Sequence, residues 1–112
     1  MRRVVITGLG ILSPIGNNKE EIKNSFKTKK SGVISMPEWD NIKGLKTKVA
    51  GMIKNFDEKV IDRKARRSMG KVAMFSTFCA KEAIEDAGLT EDLLKSGRLG
   101  VACASTIGSP QA

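Results

Sequence analysis

With 112 residues the chain is one domain at most, with room for a small core. Its 40% hydrophobic and 29% charged residues describe a globular rather than a disordered chain, and its net charge of +8 favours an acidic partner: nucleic acid, an anionic membrane or an acidic protein. The count of zero histidines excludes His-based acid–base catalysis, His-activated serine or cysteine nucleophiles and most zinc sites from these residues. Two cysteines, Cys79 and Cys103, are too few for a disulfide framework and read as buried thiols in a reducing compartment.

Met1-Arg2-Arg3 before Val4-Val5-Ile6 imitates an export signal, but Gly8, Gly10 and Ser13-Pro14 break the apolar run early. No window is long enough to span a bilayer, so a soluble, cytoplasmic protein is expected. Arg3–Thr7 is a β-branched run that predicts a strand buried on both faces. The glycines after it fall short of a dinucleotide fingerprint. Ser13 holds the third glycine's place, Gly16 comes too late, and no acidic residue follows at the ribose-binding distance. A P-loop fails for want of GK[ST], so the turn reads as a structural strand-to-loop crossing.

Asn18-x-x-Glu21 is a capping box opening a helix with Ile22 and Phe26 on one face, ended by Gly32. Residues 33–46 show no sustained period and read as loop; Val49–Ile53 predicts a second strand, with Gly51 at a close approach or bulge. Ser68–Ala87 is the clearest helix. Val72, Phe75, Cys79 and Ala83 form its stripe, widened by small residues that suit packing on a sheet and a second helix layer, and Gly88 stops it. Thr90 caps a short turn, Leu99–Ala104 reads as another buried strand, and Ser105–Ser109 as a small-residue turn. The order β-α-loop-β-α-β predicts an α/β layering with a largely parallel sheet. A final strand with no covering helix suits a fragment better than a complete domain.

Positive charge concentrates in residues 61–71. As the start of a helix, this stretch would project Arg63 and Arg67 together with Lys64 beside them, while Arg66 points elsewhere. Cations there oppose the helix dipole, so the stretch is either a docking patch for a phosphorylated or acidic partner or simply a solvated face. A nucleic-acid reading finds charge but no interleaved aromatics and no recognised motif. Cys103 has no histidine, cation or helix N-terminus near it in sequence to activate the thiol, which argues against a nucleophile.

Three stretches together carry a family resemblance. ITGLGILSPIGNN is similar to the amino-terminal strand and crossing of the β-ketoacyl-acyl-carrier-protein synthases, the type I/II condensing enzymes of fatty acid synthesis. IDRKARRSMGKVAMF resembles their basic turn and long helix, and EAIEDAGL followed by RLGVACASTIGS resembles the next helix end and strand. The likeness keeps its order from Met1 to Pro110. It implies a thiolase-like α/β fold, of which residues 1–112 form part of the amino-terminal half: a mostly buried parallel or mixed sheet with covering helices and no complete second domain. The reaction implied is decarboxylative condensation. An acyl thioester sits on a cysteine, malonyl-carrier protein loses carbon dioxide, and two histidines and an oxyanion hole stabilise the developing charge.

Neither Cys79 nor Cys103 falls at the family's nucleophile, so residues 1–112 are expected to hold no catalytic residue and to be inactive alone. No metal or cofactor is implied; the substrates carry phosphopantetheine on the carrier protein. By the resemblance, Arg63, Lys64 and Arg67 match the positions that receive the acidic carrier protein and its phosphate. Ile107 matches a gate beside the acyl pocket, where other members carry glycine, and Thr106 stands where glycine is common. The intact protein is then expected to be a cytoplasmic homodimer that binds acyl carrier protein, not nucleic acid or membrane. The alternatives are a non-catalytic carrier-docking module and a small basic nucleic-acid binder.

Overall fold

A computed structural model describes residues 1–110. The backbone divides into two compact units, one of Ile11–Phe56 and one of Met1–Gly10 with the chain from Asp57 onward.

In the Ile11–Phe56 unit, Ser13 and Gly16 exchange both backbone hydrogen bonds, at 3.0 and 3.1 Å, and turn the chain at Pro14-Ile15. Helix α1 follows at Lys19–Lys27. Its cap forms as the sequence predicts on one arm: Asn18 Oδ1 accepts from the Glu21 N–H at 2.9 Å. The other arm reaches one residue further, with the Glu21 carboxylate accepting from the Asn17 N–H at 2.8 Å. The helix stops before Gly32. Lys29 takes the left-handed conformation (φ 55°), its N–H donates to the Phe26 carbonyl at 3.2 Å, and the Lys30 N–H donates to the Ser25 carbonyl at 2.9 Å. This pair of bonds is the glycine-type helix ending, made here on a lysine.

Gly32 serves packing instead, since a Cβ there would lie 2.6 Å from Pro14 Cβ. Residues 33–46, expected as loop, contain strand β1, Val33–Ser35, and a 3₁₀ turn at Pro37–Trp39. Strand β2, Val49–Gly51, lies within the expected strand and pairs antiparallel with β1, Ile34 opposite Ala50. Gly51 is the close approach foreseen, its missing Cβ leaving room for Pro14 Cγ. Ile22, Ser25 and Met36 are buried. Ser25 Oγ satisfies itself on the Ile15 carbonyl at 2.6 Å. Phe26 does not share Ile22's burial: the buried stripe runs from Ile22 to Ser25, which turns Phe26 outward at 70% exposure.

In the other unit, helix α2 spans Arg63–Arg66, α3 Lys71–Ala87 and α4 Glu91–Lys95. The long helix starts three residues later than expected because the chain breaks between α2 and its Gly70 N-cap. Its C-terminal glycine is as predicted: Gly88 has φ 65°, and Gly88 and Leu89 donate to the Glu85 and Ile84 carbonyls at 3.1 and 3.2 Å. Thr90 Oγ1 caps α4 through the Leu93 N–H. Met74 and Ile61 are buried, and Val72, Phe75, Cys79 and Ala83 are half-buried along the predicted stripe. Ala73 and Ala80, expected to widen it, are exposed.

Among the described residues the sheet has two strands, β1 and β2, antiparallel. The runs Arg3–Thr7 and Leu99–Ala104, expected as buried parallel strands, lie outside regular structure, with Val4 at 92% and Val101 at 83% exposure. The physical reason is that a strand of this composition needs paired strands at its edges as well as cover on its faces, and among the described residues no strand pairs with either run. No helix among them is long and apolar enough to cross a membrane.

Two predictions follow from this packing. Residues 1–112 expressed alone should bind a hydrophobic dye and melt without a sharp two-state transition, as calorimetry would read; a cooperative monomeric transition would contradict the exposed runs. In the full-length protein, Lys29→Gly should raise stability by about 1 kcal/mol in urea denaturation, because it relieves a left-handed non-glycine residue.

Candidate functional site

Helix α2 owes its position to Asp62, whose carboxylate accepts from the Lys64 and Ala65 N–H groups at 2.9 and 3.3 Å. The Arg66 N–H closes the turn on the Asp62 carbonyl at 3.0 Å, and Arg67 continues with helical angles as the C-cap. Arg63, Lys64 and Arg67 are exposed, and among the described residues no carboxylate pairs with them. Arg66 goes elsewhere, as its place in the turn predicts. Its side chain is only 26% exposed and its Nη1 lies 3.8 Å from Glu58 Oε2. The cations do not stand at the N-terminus of the long helix, as the sequence suggested, but on a separate four-residue turn before it. Only Lys71 occupies the first turn of α3, so most of the expected conflict with that dipole is absent.

The turn carrying Ile107 is built from serine hydroxyls. Ser105 Oγ accepts from the Gly108 N–H at 3.0 Å, where Gly108 adopts φ 79°. Ser109 Oγ accepts from the Val72 N–H at 3.0 Å. That bond matters locally because Gly70 offers α3 no side-chain cap, so a serine 37 residues away satisfies a first-turn donor. Gly108 and Ser109 line a cavity of about 330 Å³ with Met69, Val72, Met74 and Glu58. Ile107 does not line it; its side chain is 82% exposed. Glu58 joins the two features, holding Arg66 on one side and bordering the cavity on the other.

The glycine turn that began as a phosphate-site candidate is packed. A Cβ on Gly8 would lie 2.7 Å from Ala87 Cβ, and one on Gly10 would collide with the Cys79 carbonyl. Between them the Leu9 N–H donates to Asp86 Oδ2 at 2.9 Å. Its amide therefore faces a carboxylate, and its glycines face helix backbone. Cys79 is half-buried on α3 and Cys103 is exposed rather than buried; neither forms a disulfide.

Sequence reasoning missed Glu58, Asp62's cap and Ser109. The Asp62 cap was readable, since an acidic N-cap residue directly precedes the turn. The Ser109 bond carries no local signal. Asp62→Ala should remove about 1 kcal/mol from the turn, seen as roughly fivefold faster amide exchange at Lys64 and Ala65. Unchanged exchange would show the turn to be held by other contacts.

The profile of the family described as "Beta-ketoacyl synthase, N-terminal domain" matches residues 1–112. The chain is 48% identical over 109 residues to 3-oxoacyl-[acyl-carrier-protein] synthase 1 of Haemophilus influenzae, covering 97% of the chain and 27% of that protein. It is 37% identical over 112 residues to the synthase 1 of Escherichia coli K12, covering 99% and 27%. The chain thus spans about a quarter of the length of these relatives. Among solved structures it is similar to a β-ketoacyl synthase from Burkholderia phymatum, with TM-score 0.72, 36% identity and coverage of 82% of the chain and 23% of that structure. It is also similar to the ishigamide ketosynthase/chain length factor, with TM-score 0.66, 29% identity and coverage of 82% and 23%. The α/β arrangement is part of the thiolase-like fold of these ketosynthases. On this evidence of sequence and fold together, the chain belongs to the β-ketoacyl synthase family, as its amino-terminal domain segment.

Proposed function

We propose that this chain works as the amino-terminal part of a 3-oxoacyl-acyl-carrier-protein synthase, which condenses an acyl thioester with malonyl-carrier protein in fatty acid biosynthesis. The thioester cysteine, the two histidines and the oxyanion hole belong to the rest of such a synthase, and residues 1–112 supply scaffold and docking. The intact protein is a cytoplasmic homodimer, needs no metal or cofactor of its own, and takes its substrates on phosphopantetheine. The family match over residues 1–112 and the names of the relatives support this reading.

The observation that carries the docking role is the sorting of charge on α2. Arg63, Lys64 and Arg67 are exposed together while Arg66 is held by Glu58. Two guanidinium groups and an ammonium within one turn fit a phosphate flanked by carboxylates, since arginine can bind either with two parallel hydrogen bonds. Such a surface steers an acidic partner and weakens with salt. Ile107, exposed on a turn fixed by Ser105 and Ser109, is the acyl-pocket gate of this reading.

Arg63→Glu/Arg67→Glu in the full-length protein should weaken carrier-protein binding by about tenfold or more at low salt, with the loss shrinking as salt rises. Binding would be read by titration calorimetry. Unchanged affinity would remove the docking role and leave only the solvated face.

A further inference from the structure

The Ile11–Phe56 unit holds nine lysines, no arginine and four carboxylates, so it carries most of the chain's positive excess apart from the basic segment around α2. Five of those lysines fall within residues 19–30, and all five are exposed. On α1, Lys19, Lys23 and Lys27 succeed one another at every fourth position, which places them in one row along the helix with a repeat of about 6 Å. Among the described residues, Lys23 and Lys27 make no ion pair. Phe26, 70% exposed, borders the row three residues after Lys23.

We infer that the α1 row is a second docking surface, and that it fits an acidic helix of a partner protein. The argument is one of matched pitch. A helix with glutamate or aspartate at every fourth position repeats its charges at the same interval of about 6 Å, so each carboxylate meets one lysine without either helix bending. Lysine suits this use, being a flexible point charge that does not demand the planar two-oxygen geometry of arginine. Phe26 gives the contact an apolar margin, from which water is excluded on binding. The chemistry differs from that of α2, where guanidinium groups crowd a single turn.

The test uses the full-length protein and two synthetic alanine-based peptides of identical composition. One has glutamate at every fourth position; the other has its glutamates contiguous. Anisotropy of the labelled peptides should show the spaced one binding at least fivefold more tightly, with the preference lost in Lys23→Gln/Lys27→Gln and kept in Lys43→Gln/Lys46→Gln, which removes equal charge from the same unit. Equal affinity for the two peptides, no binding, or equal loss in both double variants would overturn the inference. So would partition to phosphatidylglycerol vesicles that exceeds peptide binding and depends on Lys23 and Lys27, because the row would then be reading a lipid surface.

Discussion

The contact on which the rest of the Met1–Gly10 and Asp57-onward unit depends is the fit of Gly8 and Gly10 against α3. Alternate residues of an extended chain are separated by about 6.6 Å, and residues four apart on a helix by about 6 Å. The glycines therefore step along the helix in register with Ala87, Ala83 and Cys79. Neither side could carry a larger group. The small residues on α3 and the missing Cβ atoms on the turn are two halves of one volume constraint, and the Leu9 N–H bond to Asp86 fixes their alignment. Pro14 plays a comparable part in the Ile11–Phe56 unit, where Gly32 and Gly51 each leave it room.

Much of this was legible in the sequence wherever the cause is local. The Asn18 cap, the extent of α3 to Gly88 and the Thr90 turn all rest on residues within a few positions of each other, and all are present. The close approach at Gly51 was legible for the same reason: a glycine inside a strand pattern marks a near neighbour. What failed was non-local. The end of α1 on Lys29 rather than Gly32 contradicts propensity, because Gly32 is claimed by Pro14. The short hairpin strand at Val33–Ser35 has no periodic signal in three residues and exists through its pairing with Val49–Gly51. The apolar runs at Arg3–Thr7 and Leu99–Ala104 have the composition of buried strands, but composition does not supply neighbours.

The candidate site shows the same division. The projection of Arg63, Lys64 and Arg67 away from Arg66 follows from helical geometry and could be read in advance. Glu58 as the partner of Arg66 could not, since it lies across a separate 3₁₀ turn at Glu58–Val60. Nor could the placement of the cations on a turn of their own, which depends on the break before Gly70. The glycine turn is the clearest case of pattern and structure converging. Its spacing fell short of a nucleotide site, and the helix backbone pressed against it explains why glycines are there at all.

The Arg66–Glu58 pair changes how the basic segment counts. Four cations appear in five residues of sequence, yet one is turned inward and partly neutralised, so the surface offers a valence of three. An approaching anion therefore meets a compact tripod rather than a continuous positive band. Its shape would select a ligand with matching charges clustered on one tip over one with charge spread along a rod.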